Sequence, residues 1–141
     1  MSDARRSAVG RNLRRFPRLC EVGVGRRPEV AAALAAASCA VVATDVVARE
    51  TPDGVRFVRD DVVAAADRDP PGEQYRVDCV YALNCPPELH RPLARVAGRT
   101  GAACAFTTLG GDPPGVDATP LALPGGETLY VARDPDGAFD G

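Results

Sequence analysis

Three acids follow three apolar segments along this chain, and the first leads into a glycine turn. Glu21 opens Glu21-Val22-Gly23-Val24-Gly25 directly after Leu19-Cys20; Asp45 closes Val41-Val42-Ala43-Thr44; Asp61 follows Phe57-Val58-Arg59-Asp60. A glycine turn after an apolar strand brings bare backbone close to a ligand. An acid ending the next strand can accept hydrogen bonds from two ribose hydroxyls. Ligands of open α/β sheets bind along the carboxyl edge, where all three acids are expected. The alternative is plainer: glycines needed only by the turn, and Asp45 and Asp61 serving as caps.

The turn is selective. Gly23 and Gly25 match the first two positions of G-x-G-x-x-G, but Pro28 occupies the third. The nicotinamide and flavin fingerprint fails where the helix must pack closest, which disfavours an oxidoreductase. Acid-x-Gly-x-Gly instead resembles motif I of class I S-adenosylmethionine (SAM) methyltransferases. That resemblance implies that Glu21 helps hold the ligand's ammonium end and that Asp45 binds ribose. It further implies that Asp61 accepts from the adenine amino group. Arg26 and Arg27, at a helix start beside the ligand, suit a carboxylate or phosphate.

Farther on, Tyr81-Ala82-Leu83-Asn84-Cys85-Pro86-Pro87-Glu88-Leu89 invites comparison with the Asn-Pro-Pro-aromatic motif of amino methyltransferases. Cys85 intervenes and Glu88 replaces the aromatic, so amino-methyl transfer does not carry over. Asn84 remains a ligand-contact candidate, and Pro86-Pro87 also reads simply as a helix start. Cys85, near that start, is placed for a lowered pKa, with packing as the other reading. His90 reads as a surface residue on a helical turn. No catalytic residue is assigned.

These features together resemble a group of short archaeal single-domain proteins, uncharacterised protein family 0146. The likeness rests on Glu21 to Gly25, Asp45, Asp60-Asp61, Tyr81 and Pro86-Pro87-Glu88-Leu89, within about residues 5–133. It departs at Asn84-Cys85, where a basic residue and a proline are expected. It implies a Rossmann-like, methyltransferase-like fold with SAM as the suspected cofactor. The expected function is a SAM-binding methyltransferase-like protein of unknown acceptor. The alternative is a non-catalytic nucleotide-sensing or RNA-binding Rossmann module.

The elements that must position these residues are legible by period. Residues 3–16 read as a helix with Val9, Leu13 and Phe16 on one face; Arg11, Arg14, Arg15 and Arg18 would cluster opposite if the helix ran that far. Strands are expected near 18–23, 39–44, 55–59, 77–83 and 102–108, with helices at 30–37 and 86–97 and a short helix or turn at 62–66. Pro92 is expected to reset the start of the last helix. Thr119–Leu123 and Thr128–Arg133 read as a closing hairpin. Strands alternating with helices predict an α/β domain: a mostly parallel central sheet with an antiparallel C-terminal edge hairpin. The domain is expected over 1–133, with 134–141 as a flexible tail.

Composition bounds the rest. The 141 residues are 45% hydrophobic with net charge −2, enough for one packed domain. All 17 basic residues are arginine, and Asp outnumbers Glu 13 to 6. Such usage suits a GC-rich, salt-adapted source. Residues 1–18 hold six arginines and one acid, against eleven arginines and eighteen acids beyond. That asymmetry suggests RNA contact through Arg11, Arg14, Arg15 and Arg18, or else a solvated helix face. Neither a secretory signal nor a membrane-spanning run is visible, so the cytoplasm is the default location. Five scattered cysteines without C-x-x-C spacing and one histidine argue against disulfides and a zinc site.

Overall fold

The computed structural model describes residues 1–139. Its helices are α1 (Asp3–Leu13), α2 (Glu29–Ala36), α3 (Val62–Ala65) and α4 (Pro87–Thr100). Its strands are β1 (Arg18–Val22), β2 (Ala40–Asp45), β3 (Val55–Arg59), β4 (Cys79–Cys85), β5 (Ala103–Thr108), β6 (Thr119–Ala122) and β7 (Thr128–Arg133). The seven strands make one sheet, ordered β3-β2-β1-β4-β5-β7-β6. β1 to β5 pair in parallel; β7 runs antiparallel to β5 and to β6. This is the expected Rossmann-like sheet with an antiparallel edge. The order reverses between β1 and β4, the switch point where open α/β sheets form their ligand crevice.

Both faces of the sheet are covered, so its central strands are apolar in nearly every position. Alternation divides them. Leu19, Cys79 and Tyr81 pack with Val9, Leu13 and Leu34 from α1 and α2. Cys20, Val80 and Phe106 pack with Val62 from α3 and Leu93, Val96 and Ala97 from α4. Each fully buried Leu or Val contributes about 1.5–3 kcal/mol, and His90, Leu93 and Ala97 supply a buried stripe at helical spacing.

Several boundaries differ from the sequence expectation. α1 stops at Leu13, not 16, because Phe16 precedes Pro17 and such a residue is pushed out of the helical region. Phe16 still reaches the core. β4 starts and ends two residues later than expected, which places Asn84 and Cys85 within the strand. α4 runs through Pro92 instead of restarting there. The proline lacks the N–H that would have bonded the carbonyl of Glu88, an exposed residue in the first turn of the helix.

The expected free tail is also different over its described part. Asp134 accepts from the amides of Ala138 and Phe139, at 2.8 and 3.1 Å. Phe139 is buried against Phe16, with ring centroids 5.2 Å apart. An aromatic ring near an open edge of the core is driven inward. Residues 140 and 141, the end of that expected tail, lie outside the described residues.

A candidate ligand cleft at the β1–β4 switch point

The parallel strands deliver their last residues to one edge. There a cleft of about 370 Å³ opens, lined among others by Glu21, Gly23, Gly25, Arg26, Arg27 and Asn84. The glycine turn is fastened by its own backbone: the amides of Gly23 and Val24 both donate to the Thr44 carbonyl, at 2.9 and 3.0 Å. Gly23 and Gly25 have φ of +72° and +58°, which bulky residues avoid. Apart from its immediate chain neighbours, nothing lies within 4 Å of where a Cβ would stand on either glycine. The space beside the turn is therefore open to a ligand.

Asp45 ends β2 and is buried. Its Oδ2 accepts the Gly25 amide at 2.8 Å and its Oδ1 the Val47 amide at 3.2 Å. Arg49 Nε lies 3.5 Å from Oδ2 without hydrogen-bond geometry and is itself buried without a partner. The acid is thus part of the turn's construction; it does not itself line the cleft but is bonded to Gly25, which does.

Glu21 is 1% exposed yet lines the cleft. Burial pushes its carboxyl up to about 8, against the lowering effect of the Tyr81 hydroxyl, which donates to Oε1 at 2.7 Å. At neutral pH the group is largely protonated. Burial, the Glu21 charge and this hydrogen bond raise Tyr81 well above the usual phenol range.

Asn84 takes φ of +48°, within the register shift between Ala82 and Cys85, after which β4 resumes its pairing with β5 at Cys85 and Thr108. Its amide donates to Thr107 Oγ1 at 2.7 Å, and it is exposed at the cleft wall. Asn tolerates this backbone region better than most residues.

Asp61 stands apart. It is exposed past the end of β3, does not line the cleft, and caps α3 by accepting the Val63 amide at 2.9 Å. Its neighbour Asp60 is the structural acid: Oδ2 accepts from Tyr75, Arg68 and Gln74 at 2.6, 2.7 and 2.8 Å. Burial would raise the Asp60 carboxyl, but the Tyr75 and Arg68 bonds outweigh it and hold it below the usual range.

Sequence reasoning missed an apolar feature here. Val46, Val47, Val63 and Leu109, 45–56% exposed, all follow strand ends on this same edge. The signal was present in Val46-Val47 directly after Asp45.

Two further readings need correction. Cys85 has no lowered pKa: it is buried, and burial pushes the thiol up to about 12. His90 is not a surface residue but fully buried, stacked on Phe106 with centroids 4.2 Å apart. The Gly115 amide donates to Nδ1 at 2.9 Å. Nε2 therefore carries the proton and donates to the Cys85 carbonyl, also at 2.9 Å. All five cysteines are free. Cys39 precedes β2 and is only partly buried; the other four sit within strands and are buried. Among the described residues, no three His, Cys, Asp or Glu side chains gather to hold a metal ion. No helix among them is long and apolar enough to cross a membrane.

The single arginine face does not form. Arg18 lies in β1 and pairs with Asp78 at 3.1 Å. Arg15 bonds the Ala138 carbonyl and covers the Phe139 ring. Only Arg11 and Arg14 share a surface, the groove of about 430 Å³ between α1 and α2, which also holds Asp3 and Glu29. The cause is the early end of α1, which removes the helical spacing that would have aligned all four.

Comparisons with known proteins agree with this architecture. A Burkholderia thailandensis 1,6-didemethyltoxoflavin-N1-methyltransferase, solved with 1,6-didemethyltoxoflavin and S-adenosylhomocysteine, aligns with a TM-score of 0.50 at 23% identity. The alignment covers 91% of this chain and 59% of that enzyme, and it establishes the fold. UPF0146 proteins from two strains of Halobacterium salinarum are each 52% identical over 118 residues, 83% of this chain and 88% of theirs. One from Archaeoglobus fulgidus is 39% identical over 95 residues, 67% of this chain and 70% of its own. The pattern of the Uncharacterised protein family (UPF0146) matches residues 1–134, and the chain belongs to that family.

Proposed function

We propose that the cleft binds S-adenosylmethionine and that the protein is a methyltransferase-like SAM-binding domain. One observation carries this reading: an open glycine turn with Glu21 on its inner side and Asp45 bonded to its Gly25 amide, at the sheet's switch point. The residues present fit the group. Glu21 Oε1 is held by Tyr81, so the carboxyl is aimed and can face an ammonium. Asp45 oxygens retain lone pairs for ribose hydroxyls beyond the two amides they accept. Val46, Val47 and Val63, exposed on the same sheet edge, offer apolar surface to a base that extends beyond the cleft, whereas Asp61 stands apart as the α3 cap. Asn84 bounds the cleft from β4. The solved neighbour's S-adenosylhomocysteine supports the same ligand class.

Bound there, SAM supplies an electrophilic methyl group. The chain's own residues bind and orient; alignment alone accounts for much of the rate of such a transfer. A second reading, a non-catalytic nucleotide sensor, is favoured by the burial of His90 and Cys85, which leaves neither free as base or nucleophile. Calorimetric titration with SAM, S-adenosylhomocysteine and NAD tests the binding. SAM and S-adenosylhomocysteine are expected to bind and NAD is not. Binding by NAD alone, or by none of the three, overturns the proposal.

A further inference from the structure

The charges lining the cleft do not balance. Arg26 and Arg27 are exposed in the turn before α2, and neither makes an ion pair among the described residues. A third guanidinium, Arg6, is already committed to Asp3 and the Met1 carbonyl. The one carboxyl lining the cleft is Glu21, buried and bonded to Tyr81. Two cations of the wall therefore stand without a fixed anion.

SAM does not supply enough negative charge. It carries a sulfonium, an ammonium and one carboxylate. If its carboxylate meets one arginine and Glu21 ionises against its ammonium, the sulfonium and one guanidinium are left uncompensated. Like charges held in one cleft repel one another, and a bound anion relieves that repulsion. We propose that the ligand sharing this cleft with SAM is a small anion, bearing phosphate or carboxylate, held by Arg26 and Arg27. The inference rests on the SAM reading.

The test is calorimetry at fixed ionic strength, with SAM titrated into the full chain in chloride, in pyrophosphate and in malonate. SAM affinity is expected to rise about fivefold or more with at least one anion, a coupling typical of adjacent ligands. Which anion does so identifies phosphate or carboxylate as the preferred chemistry. S-adenosylhomocysteine, lacking the sulfonium charge, is expected to gain less. Arg26→Gln with Arg27→Gln should abolish the gain, and Arg26→Lys with Arg27→Lys should keep part of it. A thermal melt confirms that each variant is folded. Unchanged or weakened SAM affinity with both anions overturns the inference while leaving SAM binding standing. No SAM binding in any condition removes the functional reading itself. A gain from single-stranded oligouridylate but from neither small anion would overturn it in favour of a nucleic-acid partner.

Discussion

The Asp45 carboxylate accepts the Gly25 amide at 2.8 Å, so the acid ending β2 is bonded directly to the turn that follows β1. Two features twenty residues apart in sequence are one piece of structure. The acid holds the glycine turn in position and lies beside the space that the turn leaves open.

Asp45→Ala is therefore expected to damage both binding and stability. Loss of a charge-assisted acceptor costs about 1.5–3 kcal/mol of SAM or S-adenosylhomocysteine affinity. The Gly25 and Val47 amides also lose their acceptor, and Arg49 its nearest carboxylate, so the melting temperature should fall. Asp45→Asn retains one carbonyl oxygen and should melt closer to wild type. Calorimetry beside a thermal melt separates the two effects. Unchanged affinity in a folded Asp45→Asn and Asp45→Ala pair would remove the ribose assignment.

Glu21 gives a pH dependence of stability with a definite sign. Its carboxyl is raised from 4.5 to about 8 by burial, so the native state keeps a proton that the unfolded chain releases. The unfolded state binds fewer protons between these values, and stability falls as pH rises through that window. The slope approaches about 1.4 kcal/mol per pH unit. Glu21→Gln keeps an acceptor for Tyr81 and removes the titration. Urea denaturation from pH 5 to pH 9 should show a flatter profile in Glu21→Gln, which becomes the more stable protein at alkaline pH. Parallel profiles would refute the protonated assignment.

The parts legible in the sequence were those written in local period and turn chemistry. β3 and β7 begin and end where their apolar runs and flanking turns place them, and Asp45 follows from its run. Adjacent Asp60 and Asp61 could not be distinguished that way. Tyr75, Arg68 and Gln74 select Asp60 through tertiary contacts, leaving Asp61 as a helix cap. The early stop of α1 was readable at Pro17, whereas the insertion of β7 between β5 and β6 has no local signal. The burial of His90 has a local signal in its helical spacing with Leu93 and Ala97, but its bond from the Gly115 amide, 25 residues downstream, does not.

That histidine yields a stability prediction. His90 joins the Cys85 carbonyl to the Gly115 amide while stacked on Phe106. His90→Ala removes both bonds and opens a cavity, an expected loss of about 2–4 kcal/mol by denaturant unfolding. His90→Phe restores ring volume but not the bonds, and should recover part of it. Amide exchange at Gly115 should accelerate in both variants. Protection unchanged in His90→Phe would show that the loop is held by other contacts.

The remaining prediction concerns nucleic acid. Arg18 spends its backbone amide, Nε and one terminal nitrogen on Asp78, at 3.0, 3.3 and 3.1 Å, and Arg15 is occupied at the C-terminal turn. Of these four only Arg11 and Arg14 line the groove between α1 and α2, beside Glu29 and beside Arg6, which is held by Asp3 and the Met1 carbonyl. Each phosphate neutralised on a single strand contributes about −0.7 to the slope of log affinity against log salt. Two arginines therefore predict a slope of about −1.4, with binding weak at low salt and lost at physiological salt. Arg11→Glu with Arg14→Glu should remove the residual binding, because reversed charge repels the strand. Arg18→Glu should instead lower stability through repulsion of Asp78 and leave RNA affinity nearly unchanged. Fluorescence anisotropy with a single-stranded RNA across a salt series reads all three proteins. A slope steeper than about −3 would require more than four phosphate contacts, and submicromolar affinity at physiological salt would equally contradict a two-arginine footprint. The arginines separated by the end of α1 would then have to reassemble on the nucleic acid, and the groove between α1 and α2 would be a functional surface in its own right.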